Sequence, residues 1–155
     1  MCGDLLMASR EKREPVMRNY ANVLVIVGSL CLLVTLVLAW CLVGVRSSTF
    51  MKRAFPSYQH LLKAHIDYLM MTGLLMIFFL LFNHFHASPS PVVVFGMCAG
   101  SFMNPIGFIA LAMKPTLQQQ PNSPFGAVMA TSFTLTTIGY AGAAWSIGVA
   151  ALRAL

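Results

Sequence analysis

Long stretches without a charged side chain constrain this sequence more than any other feature. Three of them, at residues 20–45, 92–113 and 125–152, each exceed the roughly 20 helical residues that cross a bilayer. A fourth, at residues 68–83, is shorter and reaches that thickness if its helix starts near Lys63. All four are continuously apolar, without the alternation that marks a membrane β-barrel. The sequence therefore predicts four transmembrane helices.

These stretches divide the chain into a basic N-terminal tail, residues 1–19, and a four-helix transmembrane domain, residues 20–155. The loops between helices are short, so sequential helices are expected to be antiparallel neighbours. The predicted fold is all-α, an integral membrane four-helix antiparallel bundle. Ser57, which follows a proline, is predicted to cap the second helix. The expected spans lie at about residues 20–45, 63–84, 92–113 and 125–152.

Composition agrees with a chain that uses lipid as its solvent. It is 58% hydrophobic and 9% charged, whereas a soluble domain carries about a quarter charged residues. The net charge of +6 arises from basic residues beside the spans, where contact with anionic lipid headgroups explains them, and nothing indicates nucleic acid. The expected topology divides the ten Lys and Arg evenly between the two membrane sides. The positive-inside rule therefore assigns no orientation.

Polar side chains within spans are the functional candidates, because they are costly in hydrocarbon. On the second helix, Lys63 and Asp67 lie one turn apart, and anchoring at the membrane interface is a sufficient explanation for that pair. His65 lies about 200° around the helix from Asp67, which therefore is not its partner on the same helix. A lone histidine near a membrane edge is either a hydrogen-bonded structural residue or a ligand, and both readings stay open.

The third span carries Gly96, Gly100 and Asn104 at a spacing of four, followed by Pro105. Small residues at this spacing permit close approach of a neighbouring helix. Pro105 lacks the N–H that would complete the helical ladder and so frees a carbonyl group. One interpretation of this pattern is a packing groove with a kink.

The other interpretation is a polar pocket between the second and third helices. In an antiparallel arrangement, a rise of about 1.5 Å per residue brings Thr72 near the depth of Asn104. We therefore expect a pocket with Asn104 and Thr72 at its floor and His65 at its mouth. His84 and His86 lie roughly 30 Å from His65, at the other end of the second helix. A copper or zinc site at that His-x-His pair would need two further ligands.

Three short motifs occur in a recognisable order. Ala64-His65 lies early in the second helix, Asn104-Pro105-Ile106-Gly107-Phe108 lies in the third, and Pro121-Asn122-Ser123-Pro124-Phe125-Gly126 follows. In this order and placement the chain resembles the family of styrene oxide isomerase and hydroxylaminobenzene mutase, compact four-helix membrane enzymes. The resemblance covers roughly two thirds of the chain, from about Ser57 onward. The chain departs from the isomerase at Met71, where the isomerase has Asn, and at Ile109, where it has Tyr.

The resemblance implies a haem-dependent isomerase in the bacterial inner (cytoplasmic) membrane, a homotrimer with haem b held between protomers. His65 would be the axial ligand of the haem iron, with Asn104 and Thr72 as the catalytic residues of the pocket. The family's ferric haem acts as a Lewis acid that rearranges a small apolar epoxide to a carbonyl compound. A single histidine ligand leaves a coordination site vacant for substrate, and a dry pocket protects a cation from water. Substrate handling at Met71 and Ile109 would differ from that of the isomerase.

Two other functions are compatible with the sequence. The first is a non-catalytic accessory or assembly subunit that docks on a larger complex through glycine-rich helix faces, including that of the fourth span with Gly139, Gly142 and Gly148. The second is a transporter. No inverted repeat is evident, and Asp67 is the only acid near a span, so ion coupling has few candidate groups.

Overall fold

The computed structural model describes the backbone of residues 2–119 and 124–154 and the side chains of residues 22–117 and 124–154. Helix is the only regular secondary structure within these residues, which confirms the all-α prediction. The residues Pro121, Asn122 and Ser123 of the third sequence motif lie outside the described part. The elements in chain order are α1 (Cys2–Ser47), α2 (Thr49–Ala54), α3 (Tyr58–His84), α4 (Pro91–Met113), a short 3-10 helix (Pro115–Gln119) and α5 (Pro124–Leu152).

Four of these helices are long and apolar enough to cross a membrane: the Asn22–Ser47 part of α1, and the whole of α3, α4 and α5. The protein is thus a membrane four-helix bundle. Helix α1 starts at Cys2, so the backbone of the expected tail is helical from there into the first span. The side chains of that tail lie outside the described residues. Helix α3 starts at Tyr58, directly after the predicted N-cap position Ser57 and five residues before the predicted start of the span at 63.

Successive long helices run antiparallel and pack in chain order. Helix α1 packs on α3, α3 on α4, and α4 on α5, while α1 also contacts α4. The N–H of Ser57, just before α3, donates a hydrogen bond to the carbonyl of Ala112 near the end of α4 (3.2 Å). At the other end of α3, Met76 lies beside Gly28 of α1. Helix α5 therefore contacts the bundle mainly through α4.

The two helix starts near the loops are built differently. Ser57 occupies the N-cap position of α3, but the prediction that its side chain caps the helix is wrong. Its hydroxyl oxygen lies 2.7 Å from Nδ1 of His60, so it hydrogen-bonds to the imidazole and not to a backbone N–H of the first turn. At α4, Ser90 does cap, accepting a hydrogen bond from the N–H of Val93 (3.4 Å), and Pro91 occupies the first helical position.

Small residues let the backbones of α4 and α5 approach each other closely. A Cβ atom added to Gly100 would lie 2.6 Å from Cα of Thr136, and one added to Gly139 would lie 2.6 Å from the carbonyl carbon of Gly96. Neither position has room for a methyl group. The glycine-rich faces predicted on the third and fourth spans therefore pack on each other within one protomer. Gly148 differs, because a Cβ there would have no atom within 4 Å.

Candidate functional site

His65 lies on the seam between α1 and α3, about seven residues into α3. Its Nδ1 atom is 3.0 Å from the backbone carbonyl oxygen of Thr35, a residue near the middle of the Asn22–Ser47 span. His65 lies about two helical turns from the start of α3 at Tyr58. The ring is half-buried.

The partner of His65 decides which ring nitrogen carries the proton. A carbonyl oxygen can only accept a hydrogen bond, so Nδ1 of His65 must donate to Thr35. In the neutral ring the lone pair then belongs to Nε2. Thr35 itself is buried, and its hydroxyl donates to the carbonyl of Cys31 (2.9 Å), while its backbone carbonyl oxygen accepts from His65. The site thus presents one imidazole with an unprotonated nitrogen suited to binding a metal.

Asn104 joins α4 to α3 through an acidic residue. Its Nδ2 donates a hydrogen bond to Oδ2 of Asp67 (3.0 Å), and both side chains are half-buried. The expected pairing of Asp67 with Lys63 is replaced by this contact, and Lys63 is exposed. Asp67 therefore belongs to the interior of the bundle, where an acid in a membrane span most often serves function or pairing.

Tyr68 belongs to the polar set of the second span, but the sequence assigned it no partner. It is 1% exposed, and its hydroxyl donates to the carbonyl of Phe102 on α4 (2.9 Å). The carbonyl that Pro105 leaves without its helical N–H is that of Ser101, one residue earlier. The Tyr68 bond therefore joins α3 to α4 beside the proline break.

Thr72 lies on the same buried stripe of α3, one turn beyond Tyr68. Its hydroxyl donates to the carbonyl of Tyr68 in its own helix (2.9 Å), and the side chain is 7% exposed. The proton of this hydroxyl is therefore committed to the backbone, and only its oxygen lone pairs are left for another group. Thr72 fits a role as a packed polar residue of the α3 interior.

The polar contacts continue to α5. Ser101 of α4 and Tyr140 of α5 have their hydroxyl oxygens 2.7 Å apart. Ser132, also on α5, is fully buried, and among the described residues its hydroxyl oxygen has no hydrogen-bond partner. The middle of α4 is thus a polar layer bonded to α3 on one side and to α5 on the other.

The predicted site residues lie on two seams rather than around one pocket. His65 bonds to α1, whereas Asn104 belongs to α4 and bonds to Asp67 on α3. Met71 on α3 is buried, and Ile109 on α4 is half-buried. The side chains at these two positions are therefore apolar.

Among the described residues, no group of three or more His, Cys, Asp or Glu side chains could hold a bare metal ion. A haem needs only one such ligand from the protein, because the porphyrin supplies the other four. His84 and His86 are both exposed at the far end of α3, and a zinc site there would lack its further ligands. No protein-family model, no curated protein and no solved structure matches the chain.

Proposed function

We propose that this protein is a haem-dependent membrane isomerase in which His65 is the axial ligand of a b-type haem. The observation that carries the proposal is the contact between Nδ1 of His65 and the carbonyl of Thr35. Histidines that bind metals commonly donate their second N–H to a backbone carbonyl, which orients the ring and raises the basicity of the ligating nitrogen. His65 has this arrangement about two helical turns from the start of α3.

The donor set fits a haem with an open coordination position. Haem supplies, when bound in its ferric form, a Lewis acid that polarises the oxygen of an epoxide for rearrangement to a carbonyl compound. Thr35 holds the imidazole plane of His65, and the α1–α3 seam keeps it out of water. A second histidine that would close the opposite face is not near, since His60 bonds to Ser57 outside the span's centre.

The remaining residues favour a small apolar substrate. Met71 and Ile109 present apolar surface at the positions where the resembling isomerase handles its substrate. Asn104 bonds to Asp67 on the α3–α4 seam and not on the α1–α3 seam of His65, so we assign the proposed reaction to the His65 site alone. Excluding water from the His65 site would protect a developing cation from capture.

The resemblance also suggests the assembly and the membrane. A homotrimer with haem between protomers suits a histidine ring that is half-buried in a single protomer, because the partner would cover the rest. We place the protein in the bacterial inner membrane, where helical bundles occur, whereas outer membranes hold β-barrels. The motif order around His65 and Asn104 supports both statements.

An absorption spectrum of the purified protein tests the proposal. We expect a Soret band that is lost in His65→Ala and returns on addition of imidazole, which would fill the vacated position. The matched control is His84→Ala, which removes an exposed histidine from the end of the same helix and should leave the spectrum unchanged. A colourless protein after expression with ample haem, or a Soret band unaffected by His65→Ala, would overturn the proposal.

A non-catalytic accessory subunit is the second candidate, and one observation favours it. The outer face of α5 around Gly148 has open space beside the backbone, which is suited to a helix of another protein. Against it, the longer glycine stripe of α4 already packs on α5 within the protomer. This candidate predicts a larger partner in mild detergent that is lost in Gly148→Leu and retained in His65→Ala.

A further inference from the structure

We propose that the end of the bundle opposite the first loop binds a phosphate group, in a cleft that His86 and Arg153 line. The cleft lies between the turn after α3 and the last two turns of α5, and its volume is about 510 Å³. Its wall also includes Ser88, Ser146 and Trp145. The site lies about 28 Å along α3 from His65, so it is independent of the proposed haem site.

The backbone conformation at His86 is the first supporting observation. His86 has φ of 47°, in the left-handed region that side chains disfavour. The N–H of His86 donates to the carbonyl of Asn83 (3.4 Å), and the N–H of Ala87 donates to that of Phe82 (3.0 Å). These are the two hydrogen bonds of a Schellman cap, whose left-handed position is most often glycine. His86 therefore places an imidazole at a backbone position that favours glycine.

The chemistry of the lining is the second observation. Among the described residues of the lining, the titratable side chains are Arg153 and His86, and none of these residues carries a carboxylate side chain. Arginine pairs with phosphate oxygens through two parallel hydrogen bonds, and the Ser88 hydroxyl adds a donor. Outside the cleft, the ring of His84 packs edge-on against Phe85. The lining is thus complementary to an anion.

The place of the cleft in the bundle indicates the source of that phosphate. It lies where α3 ends and α4 begins, which is the level of the lipid headgroups for helices of this length. Trp145 is 76% exposed at the same level, and tryptophan is enriched at the membrane interface. The phosphodiester of an anionic phospholipid would meet Arg153 and His86, with its acyl chains beside Trp145. A water-soluble phosphate ester has the same charged group.

Trp145 makes the binding measurable at the site itself. The chain has two tryptophans, so Trp40→Phe leaves Trp145 as the sole emitter. In that background, phosphatidylglycerol is titrated against phosphatidylcholine in mixed micelles, and inorganic phosphate is titrated separately without added lipid. We expect a saturable change in emission with phosphatidylglycerol. If inorganic phosphate gives the saturable change and phosphatidylglycerol does not, the cleft binds a soluble phosphate ligand and not a lipid.

Variants decide whether the named side chains bind. Arg153→Gln and His86→Asn should each weaken the apparent affinity at least tenfold, since Asn tolerates the left-handed conformation but carries no imidazole. Lys114→Gln removes the same charge at the opposite end and should change the affinity less than twofold. If His86→Asn does not fold, His86→Gly replaces it, because the cap favours glycine and this variant should unfold at or above the parent's temperature.

Three results would overturn the proposal: no saturable change with either ligand, an equal loss in Lys114→Gln, or full binding by both Arg153→Gln and the His86 variant. The haem spectrum of His86→Asn should match the parent in every case. A failure of the phosphate-binding proposal can therefore be distinguished from a failure of the isomerase proposal.

Discussion

The Nδ1 atom of His65 on α3 lies 3.0 Å from the backbone carbonyl oxygen of Thr35 on α1. This contact restricts the rotation of α3 about its own axis relative to α1. It also fixes the orientation of the imidazole ring. A backbone acceptor cannot be removed by changing the side chain of Thr35, so the arrangement persists in most variants of α1. The proton position on His65 is the most direct consequence.

We predict that neutral His65 in the haem-free protein carries its proton on Nδ1 and not on Nε2, because only a protonated Nδ1 can donate to Thr35. Nitrogen-15 NMR of histidine-labelled protein in detergent separates the two tautomers. The His65 signals are assigned as those missing from His65→Ala, and His60→Ala is the control for a ring with a hydroxyl partner. A proton on Nε2 would contradict the contact and remove the main support for the haem ligand.

The close approach of α4 and α5 gives a prediction on stability. Gly100→Ala should lower the free energy of unfolding by about 1–3 kcal/mol, as overpacking does, because the added Cβ would lie 2.6 Å from Cα of Thr136. Gly148→Ala is the matched control, since its Cβ has no atom within 4 Å. That change should be neutral or stabilise by up to about 1 kcal/mol through helix propensity. Thermal unfolding in detergent measures both, and equal effects would place the interface elsewhere.

The bundle could be predicted from the sequence, but the partners of its polar residues could not. Uncharged runs longer than a bilayer require helices, since only helices and closed barrels satisfy the backbone in lipid. The start of α3 after Ser57 was predicted from Pro56-Ser57, whereas the start of its span was placed near Lys63 because Lys63 and Asp67 interrupt the apolar run. Which side of α3 meets α1 or α4 depends on packing across three helices. Neighbouring positions differ by about 100° around the axis, so a small rotation exchanges their partners.

For the same reason, the seams on which the candidate site residues lie could not be predicted. The rise of a helix predicted Asn104 at the depth of Thr72 and His65 at the mouth of a pocket, whereas Asn104 bonds to Asp67, two residues beyond His65. The seam on which each residue lies is set by side-chain fit. Asp67, for example, contacts Asn104 on α4 and not Lys63 on its own helix. A charge pair one turn apart is worth only about 0.2–0.5 kcal/mol on a helix surface. A hydrogen bond to an amide inside the bundle outweighs it.

The hydroxyl of Tyr68 should contribute to stability more than the surface hydroxyls do. Tyr68→Phe removes the donor to Phe102 (2.9 Å) beside the Pro105 break, and we expect a loss of about 0.5–1.5 kcal/mol. Thr137→Val is the control, because that hydroxyl is exposed and donates within its own helix to Phe133 (2.9 Å). Its removal should cost less than about 0.5 kcal/mol. Equal losses in detergent unfolding would mean that the α3–α4 hydrogen bond adds nothing.

The last prediction concerns the pair of Asp67 and Asn104. Asn104→Asp replaces the amide donor with a second carboxyl group at hydrogen-bond distance. At low pH the two carboxyls can share a proton and keep a hydrogen bond, whereas at higher pH both ionise and repel each other. The free energy of unfolding should therefore fall by about 1–3 kcal/mol as pH rises, through loss of a charge-assisted bond and gain of repulsion.

The exchanged double variant, Asp67→Asn with Asn104→Asp, provides the decisive control. It restores one carboxyl and one amide between α3 and α4, so at neutral pH it should recover at least half of the stability that Asn104→Asp loses. The single variant Asp67→Asn has two neutral amides at these positions. Its stability should therefore lack the pH dependence that Asn104→Asp introduces. If the double variant is no more stable than Asn104→Asp at any pH, the two side chains do not interact. Among the described residues, the side-chain hydrogen bonds left in the polar layer would then be those of Tyr68 with Phe102 and of Ser101 with Tyr140.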